Sequence, residues 1–148
     1  MATFIKYYPF LEHLAEKRHN LETDALTIAL SIAAPDPTWA QLSQVTQIDA
    51  GAYNNVVTTP LASRLIDTTG RTSTNTTGTY KLVLPDITIT ATGGPIAQFR
   101  YIHIYNATAG TPTDALIGYV DYGAPLDLAD AESLVVDFDA SLGVFTIG

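Results

Sequence analysis

Residues Leu134-Val135-Val136-Asp137-Phe138-Asp139-Ala140-Ser141 come closest to a reaction centre in this sequence. An apolar strand running into Asp-x-Asp-x-Ser sets one carboxylate where it could attack phosphorus. A second, two residues on, could pass a proton. That chemistry also needs a cationic group and further acids for a metal, supplied by a large α/β region downstream. Here only nine residues follow Asp139, no Lys lies beyond position 81 and no Arg beyond 100. The motif therefore reads as a strand end followed by a turn, and the expectation is a protein that is not an enzyme.

The same stretch partly follows a calcium loop through Asp137, Asp139, Ser141 and Gly143. It lacks the terminal bidentate Glu, and its glycine comes one position late. Asp127, Asp130 and Glu132 offer further oxygens, but no spacing requires them. No cofactor or metal ligand is assigned, and a structural Ca²⁺ near Asp137 and Asp139 stays open. The three histidines are His13, His19 and His103. His13 and His19 are six apart, which does not put them on one helical face, and no HExxH pair occurs. His103 shares a strand face with Tyr101 and Tyr105 and reads as a hydrogen-bonded core or interface histidine. None of the six serines lies in a G-x-S-x-G setting. Gly93-Gly94 leads into Pro95 and a strand, so it is no phosphate loop opening a helix. Asn75-Thr76-Thr77 and Asn106-Ala107-Thr108 match the glycosylation sequon by chance, because the N-terminus lacks the pattern of a secretory signal.

The elements that would position these groups are mostly strands. Pro9, Phe10, Leu11 and Leu14 predict a short N-terminal helix, with Lys17, Arg18 and His19 near its C-terminal end and Asn20 as cap. Leu26, Ile28, Leu30 and Ile32 alternate with small or polar residues, which predicts a strand closed by Pro35-Asp36-Pro37. The small side chains on its second face would let another layer approach. Residues 38–50 suggest a short helix anchored by Trp39, and 53–60 a short strand stopped by Pro60. Residues 68–79, rich in threonine, read as a loop or two strand edges, with Gly70 and Gly78 supplying turns. Strands follow at 80–84, 87–89, 99–105 and 115–122. The 99–105 strand carries aromatics on one face and isoleucines on the other, so both faces are expected to be covered. Ser133–Phe138 and Val144–Ile147 read as a hairpin about the turn at 139–143. The fold class is thus mainly β: a β-sandwich or jelly-roll-like domain of about seven or eight antiparallel strands with a short N-terminal helix. The chain is expected to be one domain, with an arm and helix over 1–20 and a β domain over 24–148.

Composition narrows the function. The chain has 148 residues, 47% hydrophobic and 15% charged, enough for a core and too little charge for disorder. No apolar run is long enough to cross a membrane as a helix. Without cysteine, disulfides, Cys-ligated zinc and thiol nucleophiles are excluded. The formal net charge is −8, and it is uneven. Residues 1–100 hold 8 acids and 7 bases, whereas 101–148 hold 7 acids and neither Lys nor Arg. Such a surface repels phosphates, which argues against a nucleic-acid partner. Phe4, Ile5, Tyr7, Tyr8 and Phe10 crowd the N-terminus. Phe10 is expected in the core. Phe4, Tyr7 and Tyr8 are candidate interface residues, since tyrosine joins apolar area to a polar tip.

The stretches LETDALTIALSIAAPDP, GTYKLVLPDITITATGGPIAQFRYIHIYN, ALIGYVDYG and ESLVVDFDASLGVFTI resemble small structural proteins of tailed bacteriophages. The resemblance runs from about residue 10 to the end and carries no catalytic signature. It implies a virion component of the capsid decoration (cement) type. Such a protein would be made in the host cytoplasm and sit on the capsid exterior, bound to the major capsid protein and to copies of itself, as a trimer. The alternative it leaves is a head-fibre, tail or baseplate component that binds the host surface, for which Tyr119 and Tyr122 are the nearest aromatics.

Overall fold

The computed structural model describes residues 3–51, 53–59, 61, 64–69, 71–139 and 141–148. Ten antiparallel strands and one short helix make a mainly β, β-sandwich-like fold. The strands are β1 (Thr3–Lys6), β2 (Leu26–Ser31), β3 (Val56–Thr59), β4 (Thr72–Thr76), β5 (Thr79–Val83), β6 (Ile87–Ala91), β7 (Ile96–Gly110), β8 (Thr113–Leu128), β9 (Ser133–Val136) and β10 (Phe145–Ile147). The helix α1 spans Tyr8–Ala15. The strands form one four-stranded sheet, β1-β8-β7-β2, and two three-stranded sheets, β10-β5-β4 and β3-β6-β9.

The largest sheet is covered on both sides, as the 99–105 pattern predicts. All six residues of β2 are buried, and so are residues 101–106 of β7. One face carries Leu30, Ile102, Val120 and Phe4, which are cross-strand neighbours. It packs into a single apolar cluster with Leu82 and Phe145 of one small sheet and Ile87, Ile89 and Val136 of the other. The opposite face carries Ser31, Ala29, Tyr101, His103 and Tyr119, so it is polar and aromatic. Ile32 lies past the end of β2 and is exposed.

Local chemistry explains several boundaries. Pro9 occupies the first turn of α1, where a missing N–H costs nothing. The helix ends earlier than Asn20. The Arg18 N–H reaches the His13 carbonyl at 2.8 Å, the Lys17 N–H reaches Leu14 at 3.1 Å, and Lys17 takes φ 62°. That pair of bonds is a Schellman closure with Lys17 in the left-handed position. Asn20 instead opens the next turn, accepting from the Asp24 N–H at 2.9 Å. Residues 38–50 form two short 3-10 turns, Leu42–Gln44 and Ile48–Gly51, in place of one helix. The threonine-rich segment holds strand β4, which joins β5 through Thr77-Gly78, both at positive φ, the geometry of a tight hairpin. Pro60 and Gly70 lie outside the described residues.

The structure corrects one pairing. Residues 133–136 and 145–147 do not form a hairpin with each other. β9 pairs with β6 and β10 with β5, so the turn between them carries the chain from one small sheet to the other. Asp139 shapes that turn: its carboxylate accepts from the N–H groups of Ser141 and Leu142 at 2.7 and 2.9 Å. The N-terminal arm also belongs to the main sheet. β1 pairs with β8 over Thr3–Lys6, opposite residues 118–121.

Candidate functional site

Among the described residues, two buried polar networks and two open clefts are places where chemistry or binding could occur; one cleft, of about 780 Å³, is walled by Leu14, Glu22, Arg71, Tyr80 and Ile147. The first network lies on the polar face of the main sheet. The Tyr7 hydroxyl is 2.6 Å from Nδ1 of His103, and the Ser31 hydroxyl is 2.7 Å from Nε2. Ser31 also donates to the Ala33 carbonyl at 3.1 Å. With its one proton committed to that carbonyl, Ser31 must accept from His103, so the histidine proton sits on Nε2. Nδ1 is then the acceptor for the Tyr7 O–H. Every donor in the chain Tyr7→His103→Ser31→Ala33 has a partner.

That polarity is the reverse of nucleophile activation, in which a histidine takes the proton of a serine. His103 is fully buried and Ser31 nearly so. Burial holds the His103 imidazole down to a pKa of about 3, so it stays neutral. Burial, with the neighbouring Tyr119, pushes the Tyr7 hydroxyl well above the usual phenol range, so it stays a donor. The network therefore orders the layer. Its two rings stack on each other and meet Tyr119 at a tilt, with centroids 5.3 Å from Tyr7 and 6.1 Å from His103. Tyr7→Phe, which strands the Nδ1 acceptor, is expected to lower unfolding stability by about 1–3 kcal/mol in urea titrations.

The second network joins the loop after α1 to β7. The Asn106 amide donates to Nδ1 of His19 at 3.0 Å and to the Asp24 carboxylate. Its oxygen accepts from the N–H groups of Thr108 and Ala109 at 2.9 and 3.2 Å. Asn106 is fully buried, so this sequon lies inside the fold. His13 and His19 lie 5.9 Å apart between ring centroids. The Schellman turn at Lys17 folds His19 back toward the helix, which a count along one helix does not foresee. Nδ1 of His13 and Nε2 of His19 are buried without a hydrogen-bond partner among the described residues. Because Asn106 donates to Nδ1 of His19, the proton of the neutral ring sits on Nε2, and a protonated nitrogen does not ligate a metal. Burial, with His13 adding to it against Asp24, lowers the His19 pKa to about 4. His13 is lowered too, by burial and Arg18, opposed by Glu12 and Glu16.

The candidate interface residues separate. Tyr7 is only 1% exposed and committed to His103, so it belongs to the chain's own core. Phe4 is half-buried and stacks on Phe145 at 5.8 Å. Phe10 meets the same ring edge-on at 5.2 Å, and Lys6 donates to the Thr146 carbonyl at 2.8 Å. The N-terminal aromatics thus hold β10 in place. Tyr8 is 70% exposed, and Leu11, one turn along the helix, is 45% exposed. Tyr119 is buried, and the Tyr122 hydroxyl donates to the Val135 carbonyl at 3.2 Å.

Asp137 and Asp139 line a cleft of about 880 Å³ between β8 and the segment that begins with β9. Phe4, Asp121, Val135 and Leu142 are also on its walls. Asp121 is held by Arg100 through bonds of 2.7 and 2.9 Å, which keep its carboxyl below the usual range. Asp130 accepts from the Gly94 N–H and Glu132 from Ala129, so both serve turns. Among the described residues no three His, Asp or Glu side chains converge to hold a metal ion. No described helix is long and apolar enough to cross a membrane.

No protein-family model matches the chain, and no curated protein or solved structure matches it.

Proposed function

We propose that this chain is a capsid decoration protein of a tailed bacteriophage. It binds the major capsid protein on the particle exterior and meets copies of itself, as a trimer, in an assembly role without catalysis. The observation that carries this reading is a contrast in exposure. The histidine-centred networks are sealed and oriented for structure, while Ile5, Tyr8 and Leu11 stand exposed on the N-terminal arm. Apolar side chains gathered on one arm suit a protein–protein contact. A threefold ring would set one patch against a different patch of the next copy. A protein that binds the assembled shell and not its free subunits stabilises the shell by mass action.

The test is native mass together with cosedimentation on expanded capsid shells of the phage that encodes the chain. The wild type is expected to run as a trimer and to sediment with shells. Tyr8→Ser combined with Leu11→Ser is expected to weaken one of the two contacts at least tenfold, with the fold intact by circular dichroism. A monomer that does not sediment would end this reading.

A further inference from the structure

We propose that the cleft beside β9 takes an extended basic segment of a partner protein as an added strand. β9 pairs only with β6, so its other edge is open among the described residues. The Ala91 N–H donates to the Glu132 carbonyl, which fixes the ladder phase. By antiparallel alternation Leu134 and Val136 then turn their N–H and C=O groups to β6, and Ser133 and Val135 turn theirs outward. The Tyr122 hydroxyl already donates to the Val135 carbonyl from across the cleft, which shows that outward direction and leaves that oxygen one lone pair for a partner N–H. An unpaired strand edge is a template for main-chain hydrogen bonds from another chain.

The side chains specify which segment fits. Val135 is 55% exposed and Leu142 64%, and both border the cleft. An aliphatic residue set opposite Val135 would cover it. Asp137, also on the cleft wall, is exposed, and Asp139 lies beside it. Of the nearby bases, Arg100 is neutralised by Asp121, while Lys81, on the Ser141 carbonyl at 2.9 Å, keeps one positive charge against the two negative charges of Asp137 and Asp139, so the site stays net acidic. Val135 and Asp137 are two positions apart and share the exposed face, so a segment with an aliphatic and a basic residue two positions apart, on one face, complements the site on the backbone, in apolar cover and in charge. This holds whether or not the partner is a capsid protein.

The probe is a short capped peptide of repeated Thr-Val-Thr-Lys, which puts Val and Lys on one face, titrated into the full isotope-labelled chain and followed by NMR. Shifts are expected to centre on Ser133, Val135, Asp137 and Leu142, with the Ser133 and Val135 amides slowed in hydrogen exchange. The same peptide with Glu in place of Lys is expected not to bind. Asp137→Lys, at an exposed position, is expected to weaken binding about tenfold with the rest of the spectrum unchanged. Methylating the peptide nitrogens that face β9 is expected to abolish binding, which separates strand addition from charge attraction alone. Absence of binding, shifts scattered over the acidic surface, or equal binding of the methylated peptide would each overturn the proposal. So would a doubling of native mass without peptide, since a second copy would then hold the edge.

Discussion

Gly118→Ala is expected to loosen β1 from the main sheet and lower stability by about 3 kcal/mol, the upper part of the usual overpacking range. A Cβ on Gly118 would overlap Cζ of Phe4 and lie 2.7 Å from the Ile5 carbonyl oxygen. The ring could swing aside, but the carbonyl belongs to the backbone of β1 and yields only if the strand moves. Phe4 is also wedged on Phe145, so its displacement disturbs the seat of β10. The melting temperature should drop by roughly 6–12 °C. Hydrogen exchange at the amides of Phe4–Lys6 should accelerate more than at β2 or β7. Unchanged exchange there would mean that β1 is not seated as described.

Stability should also fall steeply as pH drops below about 6.5, before most carboxylates titrate. His103 and His19 are held neutral in the fold, with pKa values of about 3 and about 4 against an ordinary 6.5. The unfolded chain therefore takes up these protons first. Their contribution is fully present above pH 6.5 and is lost as pH falls toward the folded values. Each proton adds about 1.4 kcal/mol per pH unit to the slope. His13 shifts in the same direction and steepens it. Urea midpoints measured from pH 8 down to pH 4 should show this fall. His19→Gln should make the slope visibly shallower by removing one of the protons. A wild-type profile flat between pH 7 and pH 5 would contradict the burial of both rings.

Much of the β core was legible because its strands alternate. Leu26, Ile28 and Leu30 are buried as their spacing requires, and so are Ile102 and Ile104. The aromatic second face of β7 announced that this sheet is covered twice. What local pattern does not carry is the identity of a strand's partner. Two strands about a turn at 139–143 look like a hairpin, yet each is claimed by a strand far back in the chain. β1 escaped for the same reason: four residues give too short a period, and the partner is distant. The count of strands rose from seven or eight to ten through such short edges. Tyr7 read as a candidate interface residue because only its contact with His103, 96 positions away, shows it to be core. The cleft was half visible. Asp137 and Asp139 stood out as acids, and the open edge that gives them a role appears only once β9 is seen to pair on one side.

Pairing β1 with β8 also sets an order of events during synthesis. About 110 residues separate Lys6 from its partner Gly118. At ribosomal speeds the emerging arm waits on the order of ten seconds for its place to exist. For most of that wait Phe4 and Tyr7 lack their ring partners, and Phe10 has only His19, because His103, Tyr119 and Phe145 come later in the chain. The segment made among the first is among the last to dock, so nascent chains stalled before β8 would present an aromatic tail to chaperones.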